Sequence, residues 1–212
     1  MTAPMSGRKA QAARNDTLIA EAARRVFVAE PAAPVAAVAE AAGVGISALY
    51  RRYPSKEDLL RKVCKDGLAT YTAIVQAAVD DVEGDPWQVF ETFMRRVVKA
   101  DTHSITVALA GTFTPSPELN AMAETSGRLN VALVERTQEA GVLRLDVSDA
   151  DLGTIFEQLA AVHEGDEART NELRQRYLTL LLDGLRTPPT STPLPGEAPT
   201  LEERARRWVP KG

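Results

Sequence analysis

Apolar residues recur at three- and four-residue spacing through almost all of this 212-residue chain, and almost nothing alternates with period two. Such a pattern gives each segment one apolar helical face and supplies no strands, so the expected fold class is all-α. Proline and glycine cut the pattern into pieces. Asn15 reads as the N-cap of a first helix, with Asp16 near its positive end. Ile19, Ala22, Ala23, Val26 and Phe27 form the apolar face of that helix. Pro31 and Pro34 end it and open a very short second helix with Val35, Val38, Ala39 and Ala42. Gly43-Val44-Gly45 interrupts, Ile46 to Arg52 forms about two more turns, and Pro54 stops them. Ser55 with Asp58 reads as a capping box for a longer helix carrying Leu59, Leu60, Val63, Leu68, Ile74 and Val79 before Gly84.

The same punctuation continues at larger scale. Asp85-Pro86 opens a helix with Trp87, Phe90, Phe93, Met94 and Val97, and a further helix covers Ile105 to Phe113. Ser116-Pro117 opens one through Leu119, Met122, Leu129 and Leu133 that ends at Gly141. Ser148 and Asp151 cap a helix with Leu152, Ile155, Phe156, Leu159 and Val162. Gly165 separates it from a last helix with Leu173, Tyr177, Leu180, Leu181 and Leu185. Six of the thirteen prolines lie in residues 188–212, which therefore read as a tail. Thr200 and Glu203 cap a short helix ending near Trp208, a segment that is either disordered or docked through that tryptophan.

Charge is unevenly spread. The net charge of −4 argues against a nucleic-acid partner for the chain as a whole. Residues 1–62, however, hold ten basic and six acidic residues, a balance of +4, whereas the remaining 150 hold 15 and 23, a balance of −8. Such asymmetry points to a local contact with nucleic acid or membrane. The first thirty residues lack an apolar h-region and no run reaches the ~18 apolar residues of a membrane helix, so the expected location is cytoplasmic, away from the membrane. Cys64 is the single cysteine, which excludes an internal disulfide and leaves only an intermolecular one. With two histidines, no metal-ligand cluster, no Gly-rich phosphate loop and no nucleophile elbow, the sequence predicts neither an enzyme nor a cofactor or metal site. The acidic pairs Asp80-Asp81 and Asp149/Asp151 are explained by helix ends.

Three short helices with a glycine turn between the second and third suggest a helix-turn-helix, whose second short helix enters the major groove of DNA. Gly43 suits a left-handed helix stop, and Ala36, Ala37, Ala39, Ala41 and Ala42 allow close helix approach. The same spacing occurs in helical hairpins that bind nothing. The residues from Val38 to Leu60 decide between the two. Ala42-Gly43-Val44, then Leu49-Tyr50, Tyr53, Pro54-Ser55-Lys56-Glu57 and Leu59-Leu60 closely resemble the DNA-binding signature of the TetR family of bacterial regulators. The resemblance covers residues 15–62; residues 63–212 are similar only in helix count and placement.

The resemblance implies roles. Ile46, Ser47, Ala48 and Arg51 lie where the family's recognition helix faces base edges. Arg51 suits a bidentate contact to guanine, and Ile46 or Ala48 a thymine methyl. Tyr50, Arg52 and Lys56 are phosphate candidates, Lys56 beside a helix N-terminus. Leu49 and Tyr53 read as core. Arg8, Lys9 and Arg14 form either an arm toward the minor groove or backbone, or a solvated basic terminus. The sequence departs from the family where Ala33-Pro34-Val35-Ala36 offers no capping hydroxyl, Gly45 replaces Ser or Thr, and Ala48 replaces a frequent Thr. Polar contacts then fall to Tyr50, Lys56 and the arginines.

For the C-terminal helices the resemblance implies a bound small molecule and a paired second subunit. Two apolar stripes, Leu152/Ile155/Phe156/Leu159 and Leu173/Tyr177/Leu180/Leu181/Leu185, suit half of a four-helix bundle completed around a twofold axis, or else face the subunit's own core. The expected interface is Leu152, Phe156, Leu159, Leu173, Tyr177 and Leu181. The candidate ligand residues are Phe90, Met94, His103, Phe113, Met122 and Phe156, with Trp87 and Phe93 nearby; any one of them, taken singly, is more often ordinary core. His103 either orients a polar ligand or begins a helix, and His163 sits near a helix end. The expected organisation is a helix-turn-helix domain with a basic arm over 1–62, a larger helical ligand-binding and dimerisation domain over 63–187, and a Pro-rich tail over 188–212. The expected function is a ligand-responsive regulator, a repressor that binds a palindromic double-stranded DNA operator as a homodimer and is released by a small-molecule effector. The alternative is a helical protein-interaction module whose helix-turn-helix does not bind DNA.

Overall fold

Each segment with the three- and four-residue apolar repeat is a helix in the computed structural model, which describes residues 7–187 and 192–206. Ten helices run in order among the described residues: α1 (Gly7–Ala29), α2 (Val35–Ala41), α3 (Ile46–Arg52), α4 (Lys56–Asp80), α5 (Pro86–Ala100), α6 (Thr102–Leu109), α7 (Pro117–Glu139), α8 (Asp149–Ala160), α9 (Glu167–Leu185) and α10 (Leu201–Arg206). Side-chain oxygens begin many of them. Ser55, Asp85, Ser116 and Asp166 each accept a backbone N–H three residues on, and Ser148 with Asp151 forms a full reciprocal box. Each such cap contributes about 1 kcal/mol by satisfying an N–H that the helix itself leaves unpaired. Pro34 and Gly45 start α2 and α3 without a side-chain cap, as the missing hydroxyls require. Thr200 and Glu203 bond reciprocally at the head of α10, while Trp208 lies outside the described residues.

Two helices depart most from expectation at their ends. The first helix is already formed at Gly7, the first described residue, about two turns ahead of Asn15, because the stretch Lys9-Ala10-Gln11-Ala12-Ala13-Arg14 consists of strong helix formers. Arg8, Lys9 and Arg14 therefore belong to a helix. The sixth helix spans Thr102–Leu109 rather than Ile105 to Phe113. Ala110 leaves helical geometry and Gly111 turns at φ 75°, which carries Phe113 off the helix.

Two buried clusters organise the helices. One gathers Ile19, Ala22, Ala23 and Phe27 of α1, Val35 and Val38 of α2, Leu49 of α3 and Leu59, Leu60 and Val63 of α4. It also takes in Ile105, Leu109, Phe113 and Leu119 from beyond α5. The other joins Tyr71, Ile74 and Val75 of α4 to the apolar faces of α5, α7, α8 and α9. The 25-residue α4 thus runs through both, and Leu68 borders each. Cys64 is buried and its thiol is pushed up to about 12 by burial, so it does not offer a surface thiolate for intermolecular pairing.

The chain returns along itself after α9. Leu143 and Arg186 form an isolated antiparallel bridge, and Thr187 N–H donates to the Val142 carbonyl at 3.1 Å. Arg144 donates to the carbonyls of Gly184 and Thr192, while Asp146 accepts the Leu194 N–H. The Arg186 guanidinium lies 4.9 Å from the centroid of Trp87. Part of the Pro-rich segment is therefore pinned to the α7–α8 loop. Among the described residues, no helix is long and apolar enough to cross a membrane.

Candidate functional site

A seven-residue helix such as α3 has no stability of its own, so its position depends on the residues it buries. Leu49 is fully buried and Tyr53 is 6% exposed; both pack on α1, α2 and the start of α4. Gly43, at φ 65°, makes the left-handed turn that brings α3 across α2. With position 49 inward, Ile46, Ser47, Tyr50 and Arg51 point outward and all four are exposed. They stand as i, i+4 pairs on one face, 46 over 50 and 47 over 51. Ala48, expected beside them, is half-buried at the edge of that face. The exposed set offers an apolar side chain, a hydroxyl, a phenol and a guanidinium, the chemistry that reads thymine methyls, base edges and phosphates.

Arg52 is held rather than free. Its Nε and Nη2 donate to the two oxygens of Asp16 on α1, at 2.9 and 2.7 Å, and Tyr53 Oη donates to Asp16 at 2.5 Å. The Arg52 bond leads in drawing the Asp16 carboxyl down to about 2, and burial with the Asp16 bond raises the Tyr53 phenol well above its usual range. This bidentate pair clamps α3 to α1 while the arginine stays largely exposed. Lys56 is committed more deeply. Its ammonium donates to the carbonyls of Pro31 and Ala33, at 3.0 and 2.8 Å, and lies 5.0 Å from the Phe27 ring. Lys56, expected as a phosphate ligand, is thus bonded to two protein carbonyls in the uncomplexed chain. The α1–α2 turn presents two carbonyls outside any helical ladder, and Lys56 satisfies both.

The candidate ligand residues do not gather around one cavity. Phe90 and Met94 are fully buried in the larger core, Phe113 belongs to the other core beside α1, and Met122 is half-buried on α7. His103 and Phe156 do meet, with ring centroids 4.8 Å apart, and Tyr71 stands edge-on to His103 at 5.3 Å. These two rings border a void of about 10 Å³ with Val97, Val98, Leu159 and Arg174. A larger cleft of about 180 Å³ opens between α4 and α5 beside Ala78, Gln88 and Arg96. Among the described residues no group of three His, Cys, Asp or Glu is placed to hold a metal ion.

The expected pairing stripes divide. Leu152, Phe156 and Leu159 of α8 are 1–3% exposed within their own subunit, which corrects their assignment to an intersubunit face. On α9 the inward positions are Arg174, Leu178, Leu182 and Leu185. That register turns Tyr177 and Leu180 outward, 43% and 64% exposed, with Leu173 and Leu181 half-buried at their sides. Ile155 of α8 is also half-buried. His163 is exposed beyond the end of α8.

Sequence reasoning passed over the cluster of Arg24, Asp101, Ser104 and Arg174. Arg174 donates to Asp101 at 2.7 Å and to the Ala160 carbonyl at 2.8 Å, and Arg24 donates to Asp101 at 2.9 Å. The available signal was a basic residue in the leucine register 174/178/182.

Residues 19–63 match the family described as "Bacterial regulatory proteins, tetR family". Residues 85–187 match "Transcriptional regulator SbtR-like, C-terminal domain", and the two matches together span more than two thirds of the chain. A TetR transcription regulatory protein from Mycobacterium vanbaalenii is 26% identical, with 84% of this chain and 98% of that chain covered at a TM-score of 0.55. A TetR transcriptional regulator from Streptomyces coelicolor is 24% identical over 81% and 98% at 0.57. The TetR-like regulator LfrR from Mycobacterium smegmatis, solved in complex with proflavine, is 21% identical over 78% and 95% at 0.59. No curated protein sequence matches the chain.

Proposed function

Because the chain belongs to the TetR family of bacterial transcriptional regulators, which is not a family of enzymes, we propose that it is a repressor that binds a palindromic operator as a homodimer. A small molecule binding its larger helical part then releases the DNA. The observation that carries this reading is the outward face of α3, where Ile46, Ser47, Tyr50 and Arg51 stand exposed on a helix locked from behind by Leu49. Residues 1–62 form the reading head, residues 63–187 the effector-binding and pairing part, and residues 188–212 the tail. Arg51 reads a base edge, Tyr50 and Arg52 meet phosphates, and Lys56 acts indirectly by holding the α1–α2 turn under the head.

Tyr177 and Leu180, flanked by Leu173, Leu181 and Ile155, support pairing through α8 and α9. Two such faces around a twofold axis give an isologous four-helix contact. Two heads then meet half-sites ~34–36 Å apart. LfrR was solved with proflavine. That likeness of fold supports a small-molecule effector here, which can shift the head separation only by its difference in affinity between the two states.

The test is selection of duplexes from random sequence by the purified chain, followed by affinity measurements at several salt concentrations. A palindromic selected site, bound with a steep salt dependence by two chains per site, is the expected result. Binding to no duplex at low salt refutes the reading and favours the interaction-module alternative, which the uncapped starts of α2 and α3 also favour.

A further inference from the structure

The head meets the body at a cluster of two arginines and one carboxylate. Asp101 lies between α5 and α6 at φ 50°, a left-handed conformation that Asp tolerates better than most non-glycine residues. One carboxylate oxygen accepts from Arg24 of α1 at 2.9 Å, and the same guanidinium reaches the Asp101 carbonyl at 3.2 Å. The other oxygen accepts from Arg174 of α9 at 2.7 Å and from the Ser104 hydroxyl. Arg174 is 5% exposed and also holds the carbonyls of Ala160 and Val162 where α8 ends.

Two observations here point to a ligand. Two guanidiniums share one carboxylate, an excess of positive charge that the end of α8 offsets only in part, and a buried guanidinium favours a further anion. Arg174 also has five N–H groups. Four meet the carbonyls of Ala160 and Val162, Ser104 Oγ and Asp101; the remaining one, on Nη1, has no acceptor among the described residues. The same guanidinium lines the void of about 10 Å³ bordered by His103 and Phe156.

We propose that the effector of this chain is a carboxylate with an apolar or aromatic body, its carboxylate taking Arg174 from Asp101 and its body lying against His103 and Phe156. This rests on the ligand-responsive reading above and names the class of ligand. The void holds about one water, so entry parts α6 from α8. Asp101, displaced from Arg174, loses one of the two guanidiniums that fix its carboxylate, and with it the position from which it holds Arg24 on α1. Ligand binding in the body thereby loosens the head.

The test uses the full chain on its selected duplex, with phenylacetate and indole-3-acetate as sodium salts beside phenylacetamide and indole-3-acetamide. The expected result is a rise in operator Kd of about tenfold or more with a carboxylate and no rise with its amide. Arg174→Gln removes the same support from Asp101, so it is expected to weaken operator binding about threefold without ligand and to lose the further rise with the carboxylate. Arg24→Gln, at a partly exposed joint, is expected to weaken operator binding about threefold without ligand while still binding the carboxylate by calorimetry. Equal release by acid and amide, an unchanged response in Arg174→Gln, or no release by either carboxylate overturns the proposal. If Arg174→Gln does not fold, Arg24→Gln and the acid–amide comparison still decide. Failure to select any duplex sinks the DNA-binding reading instead, whereas a bound duplex indifferent to both acids sinks only this inference.

Discussion

Replacing Lys56 with methionine deletes an ammonium and keeps most of the aliphatic stem over Phe27. In the wild-type chain that ammonium lies 2.8 Å from the Ala33 carbonyl and 3.0 Å from that of Pro31. Hydrogen bonds from a charged donor are each worth about 1.5–3 kcal/mol, and the cation–π contact with Phe27 adds about 0.5–1 kcal/mol. Lys56 is only half-buried, so water replaces part of what is lost, and we take the net cost as about 2–3 kcal/mol. Urea unfolding followed by far-UV circular dichroism, at one fixed chain concentration, reads this directly. With a slope of about 2.5 kcal/mol per molar, the midpoint of Lys56→Met falls by about 1 M. A lysine serving only as a phosphate ligand leaves the midpoint where it was and changes DNA binding alone. A midpoint within about 0.2 M of wild type therefore refutes the tether.

The Asp16–Arg52–Tyr53 clamp makes an acid-range prediction. Asp16 has its carboxyl lowered to about 2 in the fold, so its stabilisation is complete above about pH 4 and is lost as pH falls toward 2. Arg52 is largely exposed, so the loss is about 1–2 kcal/mol after screening, and Asp16→Asn should remove that part of the acid slope in urea titrations at pH 5 and 2.5. Arg51→Ala should relax the preference at one operator position by about 1–3 kcal/mol, read from competition between single-base variants; a loss equal at every position counts against base reading. Leu180→Glu places a charge at the centre of the outward α9 face, and light scattering should then find monomers at concentrations where the wild type pairs; an unchanged mass removes that face from the interface.

The parts of the fold that sequence spacing revealed are those governed by neighbours three or four residues apart. Ser55, Asp85, Ser116 and Ser148 stand at helix starts because each side chain reaches an N–H three residues along its own chain. Gly43 was legible as a left-handed stop for the same reason. Leu49 and Tyr53 were legible as core, since position 49 inward is the register that turns 46, 47, 50 and 51 out together. Spacing served less well on α9. Apolar residues surround more than half of that helix, so a stripe of 173/177/180/181 and one of 178/182/185 are equally periodic. Only packing against α5 and α8 selects the second as core and leaves Tyr177 and Leu180 exposed, with Leu173 and Leu181 half-buried. The carbonyl partners of Lys56 were not legible, because they belong to the α1–α2 turn, 25 and 23 residues away.

The sequence by itself determined an all-helical chain, the boundaries of most helices and the presence of a reading helix with its family signature. These follow from backbone hydrogen bonding and side-chain periodicity, which are complete within one or two turns. Tertiary structure alone decided which faces are free and which charges meet. Arg24 and Asp101 are 77 residues apart and Asp101 and Arg174 are 73 apart, so no spacing rule could pair them. Burial decides there. The buried guanidinium of Arg174 must find a carboxylate, and which one it meets depends on where the helices bring them together.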